Sequence, residues 1–113
     1  MKRDLGLYVE DIWDSIAAIE GYTRGVSRAD FENDRKLQDA VVRRLETIGE
    51  AVKHLPEEFR SGYPDVPWKQ IAGLRDVLTH EYFNVRIMRV WFVVANELTA
   101  LKRAIASART SPR

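Results

Sequence analysis

The chain has 113 residues, 45% hydrophobic and 31% charged, the make-up of one folded domain over residues 1–113 and too apolar for a disordered segment. It has no cysteine and two histidines, which excludes a disulfide scaffold, a thiol nucleophile and a Cys-ligated metal site. The net charge is only +1, but residues 83–113 carry six basic groups and one acidic, whereas residues 1–36 and 37–82 each carry six basic and eight acidic.

The elements read as helices almost throughout. Leu5, Val9, Ile12, Ile16 and Ile19 recur at steps of four and three, the apolar face of a first helix that ends between Gly21 and Gly25. Ser27 or Asp30 caps a long second helix, about Asp30 to His54, with the stripe Leu37, Val41, Leu45, Ile48, Val52 and Leu55. Pro56 opens a short helical turn through Arg60. Ser61–Pro67 is the clear loop, with one glycine and two prolines in seven residues. Pro67 or Trp68 starts a third helix that runs to about His80. Asn84 caps a fourth, about Arg86 to Ala106, with Ile87, Val90 or Trp91, Val94, Leu98, Leu101 and Ile105 as its stripe, and Ser107–Arg113 is expected to fray. No stretch alternates like a strand.

These features predict an all-α fold, an up-and-down antiparallel four-helix bundle with one extra short helical turn. The third helix has apolar residues on several sides (Ile71, Leu74, Val77, Leu78), and the fourth adds Trp91, Phe92 and Val93 beside its stripe. Such helices need cover on more than one side, which a second copy in a homodimer would supply. The longest apolar run, Val90–Ala95, is far short of the ~20 residues that span a bilayer. The opening MKRDLGLYVEDIWD lacks the apolar core of a secretory leader. A cytoplasmic protein with no membrane partner is the expectation.

The densest polar cluster is Arg75-Asp76-Val77-Leu78-Thr79-His80-Glu81-Tyr82. On a helix Asp76 and His80 lie one turn apart on one face, and Arg75 and Tyr82 are nearly in line. Arg75 and His80 are about 140° apart on an ideal helix. They can address one reacting group only if the helix ends near His80 or the site lies between two chains. A histidine moves a proton near neutral pH. An arginine offers a fork of donors to a phosphate and stabilises charge developing on it. Asp76 can orient either partner, and the Tyr82 hydroxyl can bond a phosphate oxygen or accept a modification. With few histidines and no paired carboxylates, this set suits metal-free phosphodiester chemistry without a cofactor. In RNA the 2′-OH is the internal nucleophile, and the products would be a 2′,3′-cyclic phosphate and a 5′-OH fragment. The same residues also suit a helix cap or a structural ion pair.

The runs Ile48-Gly49-Glu50-Ala51-Val52-Lys53-His54-Leu55-Pro56, Tyr63-Pro64-Asp65-Val66-Pro67-Trp68-Lys69-Gln70-Ile71-Ala72-Gly73-Leu74-Arg75-Asp76 and His80-Glu81-Tyr82-Phe83, with Val90-Trp91 in the last helix, resemble the HepT-like ribonucleases of the HEPN superfamily. The resemblance covers nearly the whole chain. Its specific part is the Arg-x-x-x-x-His spacing joined to the Tyr two residues later and the Pro-Trp opening of the helix. It implies a HEPN-like bundle that dimerises, with the motifs of two chains facing a shared cleft. It implies an endoribonuclease toxin paired with an MNT-type minimal nucleotidyltransferase antitoxin. The catalytic Arg and His fall on Arg75 and His80, the polar residue after the Arg is Asp76, and the Tyr that the partner adenylylates is Tyr82. Added bulk and negative charge there would keep RNA out. Glu81 stands where several relatives have Gly and puts an acid beside the cleft.

The remaining candidates read more plainly. His54 ends a helix, where a cation is favoured by the helix dipole, and reads as structural. Glu50 and Glu97 border apolar stripes and read as ion-pair partners, with site ordering as a second reading for Glu50. Arg43 and Arg44 read as a solvated face, with phosphate contact as the alternative. Trp13, Trp68 and Trp91 read as packing anchors. No glycine-rich phosphate loop and no metal-ligand spacing is present. The rival to the nuclease reading is a non-catalytic helical module that binds a nucleotidyltransferase, in which Arg75, Asp76 and His80 hold an interface.

Overall fold

The structure, a computed structural model, describes residues 4–80 and 83–110. Every regular element among those residues is helical, as the periodicity requires. Helix α1 spans Leu5–Thr23 and is capped by Asp4, whose carboxylate accepts from the Gly6 amide at 3.0 Å. It buries Val9, Ile12, Ile16 and Ile19, the predicted stripe without Leu5, which is half-buried. Gly25 takes φ +73°, a left-handed turn that starts the chain back.

The long second helix is in fact two. Helix α2 (Arg28–Glu32) is closed by a capping box between Ser27 and Asp30, so both predicted caps serve one helix start. The chain then breaks at Asn33–Asp34, and Asp34 caps α3 (Arg35–Lys53) by accepting from the Leu37 amide at 3.0 Å. Buried Gln38 bridges the break, its Nε2 donating to the carbonyls of Phe31 (2.8 Å) and Glu32 (3.1 Å). Those carbonyls end a helix; that of Phe31 also accepts from the Asp34 amide at 3.3 Å, and the Gln38 amide adds a donor to both. Helix α3 is the central element and packs against α1, α5 and α6.

Pro56 leads into α4 (Glu57–Ser61) as expected. The predicted third helix is also interrupted. Helix α5 (Trp68–Ala72) stops at Gly73, and α6 (Leu74–His80) follows at once. Main-chain bonds still cross the interruption, from Gly73 to Lys69 and from Val77 to Gly73, both 3.1 Å. Gly49 of α3 explains how closely this pair sits: a Cβ there would lie 2.8 Å from the Ile71 carbonyl oxygen. Ile71, Leu74 and Leu78 are buried and Val77 is half-buried, so the apolar sides of this helix pair are covered within one chain. Each such burial stabilises by about 1.5–3 kcal/mol.

The last helix differs from expectation at both ends and in the middle. It begins as α7 (Phe83–Phe92), so Asn84 lies inside it rather than capping it. It widens into a π-helical turn at Val93–Glu97 and ends as α8 (Leu98–Thr110), so residues 107–110 are helical rather than frayed. At the wide turn Val93 is buried and Val94 half-buried, which moves the core position one residue earlier than predicted. Val85, Met88 and Phe92 form an exposed apolar stripe on α7, each 45–54% accessible.

Helices α1 and α8 are tied across the bundle. Glu20 accepts from Lys102 Nζ at 2.8 and 3.0 Å, and Glu10 holds the Arg109 guanidinium at 2.7 and 3.2 Å. That hydrogen bonding pushes the Arg109 pKa further up, and the guanidinium also lies 4.4 Å from the centre of the Trp13 ring. The start of α1 and the end of α8 meet, with Asp4, Leu7, Ala108 and Arg109 lining one cleft. No helix among the described residues is long and apolar enough to cross a membrane.

Candidate active site

The polar cluster is carried by α6, and its placement begins with Trp68. The indole Nε1 donates to the carbonyls of Arg60 and Tyr63, both 3.0 Å, and the ring packs edge-on to Phe59 at 6.0 Å. This clamps the loop that the Ser61–Pro67 composition predicts against the start of α5. Ile71, Leu74 and Leu78 then fix the apolar side of α5 and α6 in the core. Arg75, Asp76, Thr79 and His80 are all exposed.

His80 Nδ1 lies 2.7 Å from the main-chain carbonyl oxygen of Asp76. A carbonyl can only accept, so Nδ1 carries the hydrogen and donates. In the neutral ring Nε2 is then the atom with the lone pair. The contact comes from the main chain at position 76, which any residue would supply, and not from the Asp76 carboxylate. Thr79 makes the equivalent contact one residue earlier, its hydroxyl donating to the Arg75 carbonyl at 2.7 Å. Arg75 makes no ion pair among the described residues. It sits in the same unbroken helical segment as His80, so the separation of about 140° stands. Tyr82 and Glu81 lie outside the described residues.

Arg75 opens onto a groove of about 480 Å³ between α1, α3 and α6. Its α3 wall is Arg43, Thr47, Glu50 and His54, with Glu46 and Ala51 beside them, and its α1 wall is Tyr8 and Asp11. The His54 and Tyr8 rings are stacked, with centroids 4.6 Å apart and planes 7° from parallel. Glu50 is exposed rather than buried in the bundle and faces its own helix neighbours, 3.8 Å from His54 Nε2 and 3.7 Å from Lys53 Nζ. Glu97 lies elsewhere, in the π-helical turn. Burial raises its carboxyl above the ordinary value, and the positive charge of Arg89 partly offsets this. Trp68 is buried, while Trp13 and Trp91 are half-buried against the core. No three His, Asp or Glu side chains among the described residues are arranged to hold a metal ion.

The family model described as ribonuclease HepT-like matches residues 12–108, most of the chain. The chain belongs to the HepT-like ribonuclease family. Individual relatives agree. A probable ribonuclease HepT of Thermococcus cleftensis is 43% identical over 102 residues, 90% of this chain and 93% of that protein. A candidate RNase of Caldanaerobacter subterraneus subsp. tengcongensis is 44% identical over 98 residues, 87% of this chain and 88% of that one. A Methanocaldococcus jannaschii protein, named as a gamma-glutamylcyclotransferase and candidate RNase, is 45% identical over 105 residues. That match covers 93% of this chain but 47% of the relative, so the chain spans about half of that protein's length. No solved structure matches.

Within this HepT-like domain, the sequence singles out the polar residues that the structure places on α6, but not the α1 wall of the groove. Arg43, Thr47, Glu50 and His54 recur at steps of four, three and four, one polar face of a helix. That spacing is legible. The contribution of Tyr8 and Asp11 is not, because it depends on how α1 packs across α3.

Proposed function

We propose that this chain is a metal-independent endoribonuclease acting as the toxin of a toxin–antitoxin pair. The observation that carries this reading is the solvent-facing side of α6, where a histidine with its tautomer set by the Asp76 carbonyl stands one helix segment from an arginine without an ion pair among the described residues. Membership of the HepT-like family supports it. His80 Nε2 takes the proton of the ribose 2′-OH, and the freed oxygen forms a bond to phosphorus. Arg75 stabilises the crowded phosphorane. The bond from phosphorus to the 5′-oxygen breaks, that oxygen takes up a proton, and a 2′,3′-cyclic phosphate remains.

The enzyme works as a homodimer in this reading. Arg75 and His80 point away from each other on α6, so a shared cleft would let one protomer's arginine serve its partner's histidine. The exposed stripe of Val85, Met88 and Phe92, close in sequence to that site, is the apolar surface a partner would cover. An MNT-type nucleotidyltransferase is the antitoxin, and it silences the nuclease by adding AMP to Tyr82. Negative charge beside the arginine would repel RNA phosphate.

The test is cleavage of RNA by the purified chain in EDTA, with analysis of the product ends and intact mass measured after expression alone and with the nucleotidyltransferase. The expected result is cyclic-phosphate ends from the unmodified chain, and loss of cleavage when Tyr82 gains the mass of AMP. An unmodified dimer that leaves a panel of RNAs intact would favour the non-catalytic module instead.

A further inference from the structure

The groove beside Arg75 is not explained by the transfer chemistry alone. Proton transfer and phosphate clamping need His80 and Arg75, and neither needs a stacked pair of rings. We propose that the groove binds the nucleotide next to the scissile phosphate, with its base stacked on His54 and an amino group of that base donating to the groove's carboxylates. The inference rests on the ribonuclease reading and deepens it by naming what the substrate must present.

Three features carry it. First, the His54 ring is held flat by Tyr8 on one face, while its side chain stays 49% accessible at the groove. A ring fixed on one face and open to solvent is a platform for an unpaired base, the usual way single-stranded RNA is held. Second, the groove has mixed charge. A site for bare phosphate would be lined by cations, whereas here Asp11, Glu46 and Glu50 stand with Arg43 and Arg75. The acids repel phosphate, so the backbone is directed to the two arginines, of which Arg75 also holds the reacting group. Third, ionised carboxylates only accept hydrogen bonds. They favour the exocyclic amino groups of adenine, cytosine and guanine over the carbonyl edge of uracil. For Glu50 the fold has little use. The contacts of Glu50 with Lys53 and His54 are exposed pairs within one helix, a kind that contributes little to stability.

The experiment compares steady-state cleavage of short single-stranded oligoribonucleotides that differ in one base beside the cut. His54→Ala is expected to raise KM about tenfold, the size of one lost base stack, with kcat changed by less than about threefold. His54→Phe keeps the platform without a proton donor and is expected to restore most of the wild-type KM. Glu50→Gln, which adds a donor, is expected to shrink the preference for amino-bearing bases over uracil several-fold. An unchanged KM in His54→Ala overturns the proposal, and so does a kcat collapse in His54→Phe, which would make His54 an acid or base instead. A second measurement separates this inference from the nuclease reading. His80→Ala protein is titrated with an uncleaved oligoribonucleotide while the Tyr8 and His54 ring signals are followed by NMR. Ring shifts in a chain whose wild type cuts no RNA would uphold the groove and sink the nuclease. Cleavage by wild type with unmoved rings would do the reverse.

Discussion

The α1–α8 side of the bundle and the α6–α7 side spend their surface residues differently. Along α1 and α8, charged groups reach across the bundle: Glu20 to Lys102, Glu10 to Arg109, and Arg109 over Trp13. Along α6, the contacts of Thr79 and His80 are local, each to a carbonyl four residues back, and the stripe on α7 is left exposed. The cross-bundle pairs of the first side hold the fold together, whereas the contacts of Thr79 and His80 stay within α6. The exposed polar residues of α6 with their local contacts, and the exposed stripe on α7, are where the proposed function puts its chemistry and its interface, and the cross-bundle ion pairs lie on the other side.

That contrast can be broken in order of effect. Arg75→Ala and His80→Ala should each lower RNA cleavage by about 10²–10⁴-fold while thermal unfolding stays within a few degrees of wild type, because both side chains are exposed. A matching loss of thermal stability would place them among the residues that hold the fold. Gly49→Ala should destabilise by about 1–3 kcal/mol, read as a lowered denaturant midpoint, because its new methyl meets the Ile71 carbonyl. An unchanged midpoint would mean that α5 yields easily. If the proposed homodimer pairs through the α7 stripe, Met88→Asp should leave the monomer's unfolding near that of wild type but abolish the dimer that wild type shows in light scattering; a wild-type monomer would sink the dimer, and a dimer that persists in the variant would move the interface elsewhere. Lys102→Ala should cost less than about 1 kcal/mol, and the cost should fall with added salt.

The smallest effect concerns pH. Glu97 has its carboxyl pKa raised by burial, so the folded chain holds that proton more tightly than the unfolded chain. Ionising it therefore costs stability as pH rises through the carboxylate range, and the cost is absent below the unfolded pKa. Glu97→Gln should raise the thermal midpoint slightly near neutral pH and lose that advantage below about pH 4. A benefit that persists in acid would point to packing rather than charge.

The apolar stripes were legible because periodicity records which side of a helix meets the core. Val41, Leu45, Ile48 and Val52 are all buried as their spacing predicts. Periodicity does not record where the axis breaks. The chain stops at Asn33–Asp34 and at Gly73 although apolar spacing continues through both, since a capped turn can bend the backbone and keep the same side inward. The α6 residues were legible as residue types at fixed spacing. The contact that orients His80 was not, because its acceptor is a backbone oxygen, which every residue carries. The groove needed the packing of α1 on α3, a relation between residues about forty positions apart.

The meeting of α1 and α8 has a topological consequence. With Asp4 and Arg109 lining one cleft, the described chain is nearly a closed ring of helices. A linker joining the start of α1 to the end of α8 would close that ring, which could be reopened at the exposed Arg24–Gly25 link. The first helix would then be made last, and the bundle would have to complete its groove with a strut that arrives after α3 and α6 are already in place.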